Sequence, residues 1–307
     1  MFRSLLFIPG NNERFLKKST SLHPDILCFD LEDSVPSNEK EAARRLVAAQ
    51  LASQEEDKLS PIYVRINSVD SGMIDGDLES VIGNELDGIV LPKIGTSKEV
   101  MQVIDKIHMI ASKRKLTPRI QIIPSIETAK GVVNANSIAS AHEDVVALVF
   151  GVFDYLYDMD IDTEYDESIS YNYARSKIPV DAKAAGIDAL DGIWQKVSDL
   201  DGLAMDATVA KNLGYSGKTL IHPSHINPVH DIFRPTKKQI EWAKKVLASL
   251  QDSVEKGNPK GAILLDGKMI DAVHYKQAKA VLMQQTNKIF NQLYCGFFQR
   301  ICNLSKK

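Results

Sequence analysis

The chain has little of several features that define major protein classes. Among 307 residues there are three cysteines, Cys28, Cys295 and Cys302. Their odd number and wide spacing exclude a disulfide framework and a cysteine metal cluster. No apolar stretch approaches the roughly 18 residues that a membrane helix needs, and the apolar run at residues 5–8 is too short for the core of a signal peptide. We therefore expect a cytoplasmic protein without a membrane partner.

A surplus of basic residues is also missing. The chain has 37 Lys and Arg against 40 Asp and Glu, which gives a net charge of −3. Because a nucleic-acid-binding protein is expected to carry a basic surplus, we expect no nucleic-acid partner. No glycine-rich phosphate-binding motif follows any strand-like run, which disfavours a dinucleotide-binding fold. The apolar share of 44% is typical of a globular protein and excludes global disorder.

What the sequence does contain is an alternation of short apolar runs with segments of helical periodicity. Eight such runs occur, at residues 5–8, 26–29, 62–66, 88–91, 120–123, 145–150, 186–190 and 219–221. They lie about 31 residues apart on average, which is the length of one βα unit. Nearly continuous apolar strands that alternate with amphipathic helices indicate a parallel sheet covered by helices. The predicted fold class is therefore α/β, and eight strands favour a TIM (β/α)8 barrel over an open sheet.

The pattern changes after the eighth run. Thr236 and Gln239 form a capping box that predicts a helix to about residue 252. Asp266 and Gly267 form a hairpin turn signal between two short apolar segments, and a helix is predicted over about 273–293. We expect a barrel domain at residues 1–232 and a C-terminal helical and hairpin appendage at 233–307, which serves as a lid or as a contact between subunits.

The catalytic residues of a TIM barrel lie at the carboxyl ends of its strands. Charged side chains lie at the ends of several of the predicted strands or within a few residues after them: Asp30, Glu32, Asp33, Arg65, Lys93, Glu127 and Asp154. Carboxylates from the second, fifth and sixth strands therefore converge on one arginine from the third. Clustered carboxylates repel one another unless a cation or a proton separates them.

Glu127 and Asp154 follow neighbouring strands and form the predicted metal-binding pair. Oxygen ligands without nearby cysteine favour Mg²⁺, or Mn²⁺, over zinc. The alternative is that each carboxylate caps the helix that follows it or accepts a hydrogen bond from a backbone amide.

Arg65 ends a strand that is otherwise suited to the core. Its guanidinium either holds a substrate carboxylate through two parallel hydrogen bonds or forms a structural salt bridge to Glu32 or Asp33. Both roles remain open from the residues alone.

Two further features suggest other chemistry and are disfavoured. Lys93 would need a lowered pKa to act as a Schiff-base lysine, whereas the neighbouring acids keep it protonated, so we interpret it as a structural or phosphate-facing residue. His222 and His225 have a spacing seen in zinc sites, but Pro223 interrupts a helix there and no third soft ligand is evident.

Seven segments, in order along nearly the whole chain, carry a resemblance to a known family. They are RSLLFIPG at 3–10, FDLEDSVP at 29–36, VRIN at 64–67, GIVLPK at 88–93, IIPSIETA at 122–129, GYSGKTLIHP at 214–223 and DGKMID at 266–271. With these segments the chain resembles the CitE-like branch of the HpcH/HpaI aldolase and citrate lyase family. That branch includes citrate lyase β subunits, malyl-CoA lyases and citramalyl-CoA lyases.

The resemblance implies roles for individual residues. Glu127 and Asp154 would bind Mg²⁺, and Arg65 and Glu127 would contact the substrate, with Arg65 holding its carboxylate. Glu32 and Asp33 would support the waters on the metal. The resemblance also implies that Asp271, in the appendage, reaches the site of a neighbouring subunit and takes part in proton transfer, as a catalytic residue together with Arg65.

The implied activity is a Mg²⁺-dependent carbon–carbon lyase of a β-hydroxyacyl thioester, such as citramalyl-CoA, malyl-CoA or a citryl thioester. The thioester would be carried by CoA or an acyl carrier protein, and the chain would assemble as a homo-trimer or homo-hexamer. Two alternatives are a metal-dependent pyruvate aldolase acting on a free hydroxy-oxo acid and a carrier-protein-dependent citrate lyase β subunit. Phe153 and His225 depart from the family pattern, which usually has glutamate and glutamine there.

Overall fold

The structure is a computed structural model that describes residues 1–53, 58–83, 85–117, 119–161, 171–255 and 262–285. The chain divides into two compact units, residues 1–233 and a second unit that begins at Arg234.

Eight parallel strands form a closed barrel in the first unit. They are β1 (Ser4–Pro9), β2 (Ile26–Asp30), β3 (Ile62–Arg65), β4 (Gly88–Leu91), β5 (Gln121–Ile126), β6 (Ala147–Phe150), β7 (Asp188–Asp191) and β8 (Gly217–Leu220). Each strand pairs with the next in parallel, and β8 pairs with β1 to close the barrel. Each of the eight predicted runs contains or overlaps one strand, so the prediction of a TIM barrel is confirmed.

Side chains along each strand alternate between the barrel interior and the outer layer, as the period of a β-strand requires. The interior holds Leu5, Cys28, Tyr63 and other buried side chains in one small cluster. The alternate residues, such as Leu6 and Phe29, belong to a larger cluster between the strands and the helices. This alternation decides which strand-end residues point into the mouth of the barrel.

Helices follow the strands along the first unit. They are α1 (Glu13–Ser19), α2 (Lys40–Ala52), α3 (Ile74–Val81), α4 (Ser97–Arg114), α5 (Ala129–Ala139), α6 (Val152–Asp158), α7 (Asn172–Ala184), α8 (Leu200–Leu213) and α9 (Ile226–Phe233). At the start of α4, the Thr96 hydroxyl accepts the backbone N–H of Glu99 at 3.3 Å, so Thr96 is the N-cap of this helix.

The second unit contains α10 (Lys237–Glu255), a hairpin of β9 (Ala262–Leu265) and β10 (Lys268–Asp271), and α11 (Ala272–Gln285). Thr236 and Gln239 exchange hydrogen bonds at the start of α10, as predicted. The hairpin turns at Asp266 and Gly267, which have φ values of 49° and 77°, the left-handed conformation that this turn requires. The last eight residues of the predicted helix over 273–293 lie outside the described ranges.

A small apolar core holds the second unit together, with Ala243, Val246 and Ile270 among its buried members. Within the described ranges, none of the helices combines the length and apolar character needed to cross a lipid bilayer.

Candidate active site

A cavity of about 480 Å³ opens at the carboxyl ends of the barrel strands. Four of the predicted site residues line it: Asp33, Arg65, Glu127 and Asp154. Glu32 is buried and contacts Arg65 from the same end of the barrel. The structure therefore brings together five of the six predicted site residues, and the sixth, Asp271, belongs to the second unit.

Arg65 is held by a carboxylate on the neighbouring strand. Arg65 and Asp30 are register partners on β3 and β2, and both follow interior residues by two positions, so both point into the barrel mouth. Arg65 Nε and Nη2 donate to the two oxygens of Asp30 at 2.7 and 2.6 Å. The guanidinium also lies 4.5 Å from the ring centroid of Phe7, within the range of a cation–π contact.

The salt bridges to Glu32 and Asp33, one of the two roles left open for Arg65, are present but longer than the contacts with Asp30. Arg65 Nη1 lies 3.2 Å from Glu32 Oε2 and 3.7 Å from Asp33 Oδ2. Burial by itself would raise the pKa of Asp30, but the charge of Arg65 and its hydrogen bonds bring that pKa below its ordinary value. Arg65 therefore has a structural partner, while Nη1 is directed to the carboxylate cluster.

Glu127 lies directly after β5 and only 3% of its surface is exposed. The Thr128 hydroxyl, and not Glu127, caps α5 by accepting the N–H of Gly131. A Cβ at position 151 would lie 2.3 Å from Glu127 Cγ, so the glycine there leaves the space that Glu127 occupies. Burial, with the charges of Asp154 and Glu32 as further causes, raises the pKa of Glu127 to about 8.

Asp154 lies in the first turn of α6, whose N-cap is Gly151. Neither Glu127 nor Asp154 therefore caps the helix that follows it. The other alternative, a hydrogen bond from a backbone amide, is present at Glu127, whose Oε2 accepts the N–H of Lys93 at 3.2 Å. The Lys93 ammonium lies 3.3 Å from Asp154 Oδ1.

Lys93 connects the carboxylates of three strands. Its ammonium donates to Glu32 Oε1 and lies 3.2 Å from Asp33 Oδ1. Burial alone would lower the pKa of Lys93, but the hydrogen bond and charge of Glu32 raise it above its ordinary value. A protonated amine cannot attack a carbonyl, so the structure agrees with the argument against a Schiff-base lysine. Its partners are carboxylates, which disagrees with a phosphate-facing role.

The donor set of this cluster fits a hard divalent cation. Glu32 Oε2 is buried and has an ionic contact with Arg65 Nη1 but no hydrogen bond. Burial together with nearby Asp33 raises the pKa of Glu32 to about 7 against the opposing charge of Arg65. Within the described ranges, no three His, Cys, Asp or Glu side chains converge to hold a metal on their own. A cation on Glu127 and Asp154 would therefore need water or substrate oxygens as well, which Mg²⁺ accepts readily.

Comparison with known proteins decides the family. Residues 3–223 match the HpcH/HpaI aldolase/citrate lyase family. The chain belongs to that family. It is 34% identical to the citrate lyase subunit beta of Haemophilus influenzae, over 91% of this chain and 95% of that protein. It is 33% identical to the human mitochondrial citramalyl-CoA lyase, over 93% of this chain and 86% of that protein.

The structure is similar to that of CitE from Mycobacterium tuberculosis in complex with magnesium, acetoacetate and coenzyme A. The TM-score is 0.75 at 25% identity, and the match covers 92% of this chain and 97% of that one. The resemblance stated from sequence is thus confirmed, and so is the class of carbon–carbon lyase that the family and its named members represent.

In this family member, Asp271 caps a helix of the second unit. Asp271 Oδ1 accepts the backbone N–H groups of Val273 at 2.9 Å and His274 at 3.3 Å, at the start of α11. It also lies 2.7 Å from His274 Nδ1. The hydrogen bond with His274 holds the pKa of Asp271 below its ordinary value. Asp271 is therefore a carboxylate at neutral pH.

The two histidines of the disfavoured zinc site have other partners. His222 Nδ1 lies 2.7 Å from the Ser224 hydroxyl, and His225 Nε2 lies 3.0 Å from the backbone oxygen of Val197. Their rings meet edge to face with centroids 6.1 Å apart.

The barrel contains a second ionic cluster that was not predicted from the sequence. Asp191 and Lys218 are register partners on β7 and β8 and point to the outer layer. Lys218 donates to Asp191 and Asp206, and Arg175 donates to the same two carboxylates. Two sequence features could have indicated this cluster. Asp191 follows the seventh apolar run as Asp30 follows the second, and Lys218 lies within the eighth strand.

Proposed function

We propose that the chain is a Mg²⁺-dependent lyase that cleaves or forms the carbon–carbon bond of a β-hydroxyacyl thioester. One observation carries the proposal: the buried Glu127 and neighbouring Asp154 share a cavity with Arg65 at the carboxyl ends of the strands. The family relatives named for citramalyl-CoA and citrate support the substrate class, and the CitE structure solved with magnesium and coenzyme A supports the metal and the thioester carrier.

Each residue has a task in this reaction. Glu127 and Asp154 would hold the cation, which when bound supplies Lewis-acid polarisation of the hydroxy-acid oxygens. Arg65 orients the carboxylate of the hydroxy acid with the N–H groups that Asp30 does not use. Glu32 and Asp33 accept hydrogen bonds from waters beside the cation.

The bond change is a retro-aldol type cleavage. A base removes the hydroxyl proton, the electrons of the carbon–carbon bond pass to the carbon next to the thioester, and that carbon takes up a proton. The products are a keto acid and an acetyl thioester. Asp271 of a neighbouring copy is the proposed group for proton transfer, and this assignment requires a homo-oligomer.

A panel of substrates tests the proposal. The purified chain is assayed with citramalyl-CoA, malyl-CoA and citryl thioesters, and with a free hydroxy-oxo acid, each with Mg²⁺ and with a chelator. We expect cleavage of at least one thioester that Mg²⁺ supports and the chelator abolishes. Cleavage of the free acid alone would replace the proposal with a pyruvate aldolase, and activity only after addition of an acyl carrier protein would favour the citrate lyase β subunit.

A further inference from the structure

Lys93 is the cation that the structure places inside the proposed metal site. Its ammonium contacts three carboxylates, on Glu32, Asp33 and Asp154. Its backbone N–H donates to the fourth, on Glu127. Arg65 lies beside the cluster, but its two shortest hydrogen bonds go to Asp30. Among the residues that the structure describes, Lys93 is the one basic side chain that forms an ion pair with Asp154.

The backbone of Lys93 has a conformation that is unusual for a lysine. Its φ is +55°, in the left-handed region that a residue with a Cβ adopts at an energetic cost. Pro92 precedes it and the Ile94 N–H donates to the Ser125 carbonyl at 3.2 Å, so both sides of the residue are fixed. The loop therefore holds the amide against Glu127 while the side chain reaches the other three carboxylates.

The Lys93 ammonium and Arg65 Nη1 together face four carboxylates, which leaves a surplus of negative charge. Without Lys93, the like charges of this group would repel one another in a partly buried site. A divalent cation on Asp154 would meet an ammonium that already pairs with that carboxylate. Two cations that bind the same carboxylate repel each other, and the free-energy cost of this repulsion is larger where water is partly excluded.

We propose that Lys93 is a built-in counter-ion of the metal site, which a divalent cation has to displace from Asp154 in order to bind. The inference rests on the proposed function, because it assumes that Glu127 and Asp154 hold the cation. Lys93 stabilises the metal-free carboxylate cluster and by the same contacts weakens the metal affinity. A merely supporting lysine would have the opposite effect, since its loss would disorder Glu32 and Asp33 and weaken the metal site.

The test is the affinity for Mn²⁺, measured by electron paramagnetic resonance on the full chain at pH 8. Lys93→Met and Lys93→Gln remove the charge, and the expected result is a Kd on the order of tenfold lower than that of the unaltered chain. Lys130→Met is the matched control. Lys130 lies at the same end of the barrel and pairs with Glu99 at 3.6 Å, so this variant should shift the Kd by less than about twofold.

Stability supplies a second readout. Metal-free Lys93→Met should unfold at a lower temperature than the unaltered chain, because the carboxylates lose their counter-ion. Saturating Mn²⁺ should remove most of that difference, because a ligand that binds only the folded chain stabilises it more when its Kd is lower, and Lys93→Met is expected to have the lower Kd. A third readout needs no variant. Amine labelling of Lys93 in the unaltered chain, with Lys130 as the internal reference, should rise when Mn²⁺ is added.

The outcomes separate the two proposals. If the unaltered chain binds Mn²⁺ and Lys93→Met and Lys93→Gln bind it equally or more weakly, the inference is wrong and the proposed function stands. An unchanged labelling rate of Lys93 on metal binding also overturns the inference, even where both variants fail to fold. If the unaltered chain binds no Mn²⁺ at millimolar concentration, both proposals fail.

Discussion

Arg65 and Asp30 face each other across neighbouring strands and join through two parallel hydrogen bonds, of 2.7 and 2.6 Å, at the mouth of the barrel. This pair means that the arginine proposed to hold a substrate carboxylate is already oriented by a buried carboxylate of the protein. The guanidinium is therefore held in place before substrate arrives, which lowers the entropy cost of binding.

Arg65→Lys separates the structural role of this residue from its role in binding. Lysine keeps the charge but cannot form the two-pronged contact. We expect a loss of about 1–3 kcal/mol in the free energy of unfolding and an increase of at least tenfold in KM for the hydroxy-acid substrate. Urea unfolding and steady-state kinetics measure the two effects. A loss of stability with unchanged KM would make Arg65 a structural residue.

Glu127→Gln tests the metal ligand with little change of shape. The amide removes the buried charge, so Mg²⁺ affinity should fall about 100-fold or more. Burial of an ionised carboxylate is unfavourable, and the metal-free variant should therefore be as stable as the unaltered chain at pH 9, or more stable. Calorimetric titration and thermal unfolding measure these quantities. Retained Mg²⁺ affinity would remove Glu127 from the ligand set.

Metal binding should depend on pH because the pKa of Glu127 is raised to about 8. Cation binding requires the carboxylate, so the Mg²⁺ affinity should rise by about tenfold or more between pH 6.5 and pH 8.5, with release of a proton. The stability of the metal-free fold should change in the opposite direction. The protonated side chain is favoured in the fold, so its contribution is complete below about pH 4.5 and is lost as the pH rises through 8.

Calorimetry in two buffers of different ionisation enthalpy counts the released proton. An affinity that does not change across this pH range would show that Glu127 is already ionised in the metal-free chain or does not bind the metal.

Gly151→Ala tests the space that Glu127 needs. The added Cβ would lie 2.3 Å from Glu127 Cγ, so the carboxylate has to move. We expect a cost of about 1–3 kcal/mol in stability and a lyase activity that is at least tenfold lower. Gly95→Ala is the control at the same end of the barrel, because the three atoms nearest its Cβ would all belong to the flexible side chain of Lys130, the first at 3.0 Å. Equal activity of both variants would contradict this packing argument.

Asp271→Asn separates helix capping from proton transfer. Asparagine caps a helix about as well as aspartate, so the melting temperature should change little, whereas the amide cannot accept or donate the proton and kcat should fall at least 100-fold. Asp271→Ala is the comparison that loses both functions. Should Asp271→Asn retain full kcat, Asp271 would have only the capping role at the start of α11 that the structure shows.

Much of the fold followed from local pattern. The eight apolar runs, the capping box at Thr236 and the turn at Asp266 and Gly267 each depend on a few neighbouring residues, and each is present in the structure. The candidate site followed from one further rule, that catalytic residues lie at the carboxyl ends of barrel strands. That rule grouped Arg65, Glu127 and Asp154 before their distances were known.

The partners within the site depended on register, which a single sequence does not reveal. A salt bridge from Arg65 to Glu32 or Asp33 was one of the two roles left open, and the structure has both contacts. The two shortest hydrogen bonds of Arg65 go instead to Asp30, because Arg65 and Asp30 are register partners that point to the same interior. The cluster of Asp191 and Lys218 was missed for the same reason, since its members join strands and helices that are distant along the chain.

By itself, then, the sequence determined the barrel, the family and the end of the barrel where the candidate site lies, because strand period, capping and turn formation are local properties of the chain. Only the tertiary structure decided that Lys93 lies among four carboxylates, that Glu127 is buried against Gly151 and that Asp30 orients Arg65. Those contacts depend on barrel closure and strand register, which bring side chains from different strands within a few ångströms of one another and remove them from water.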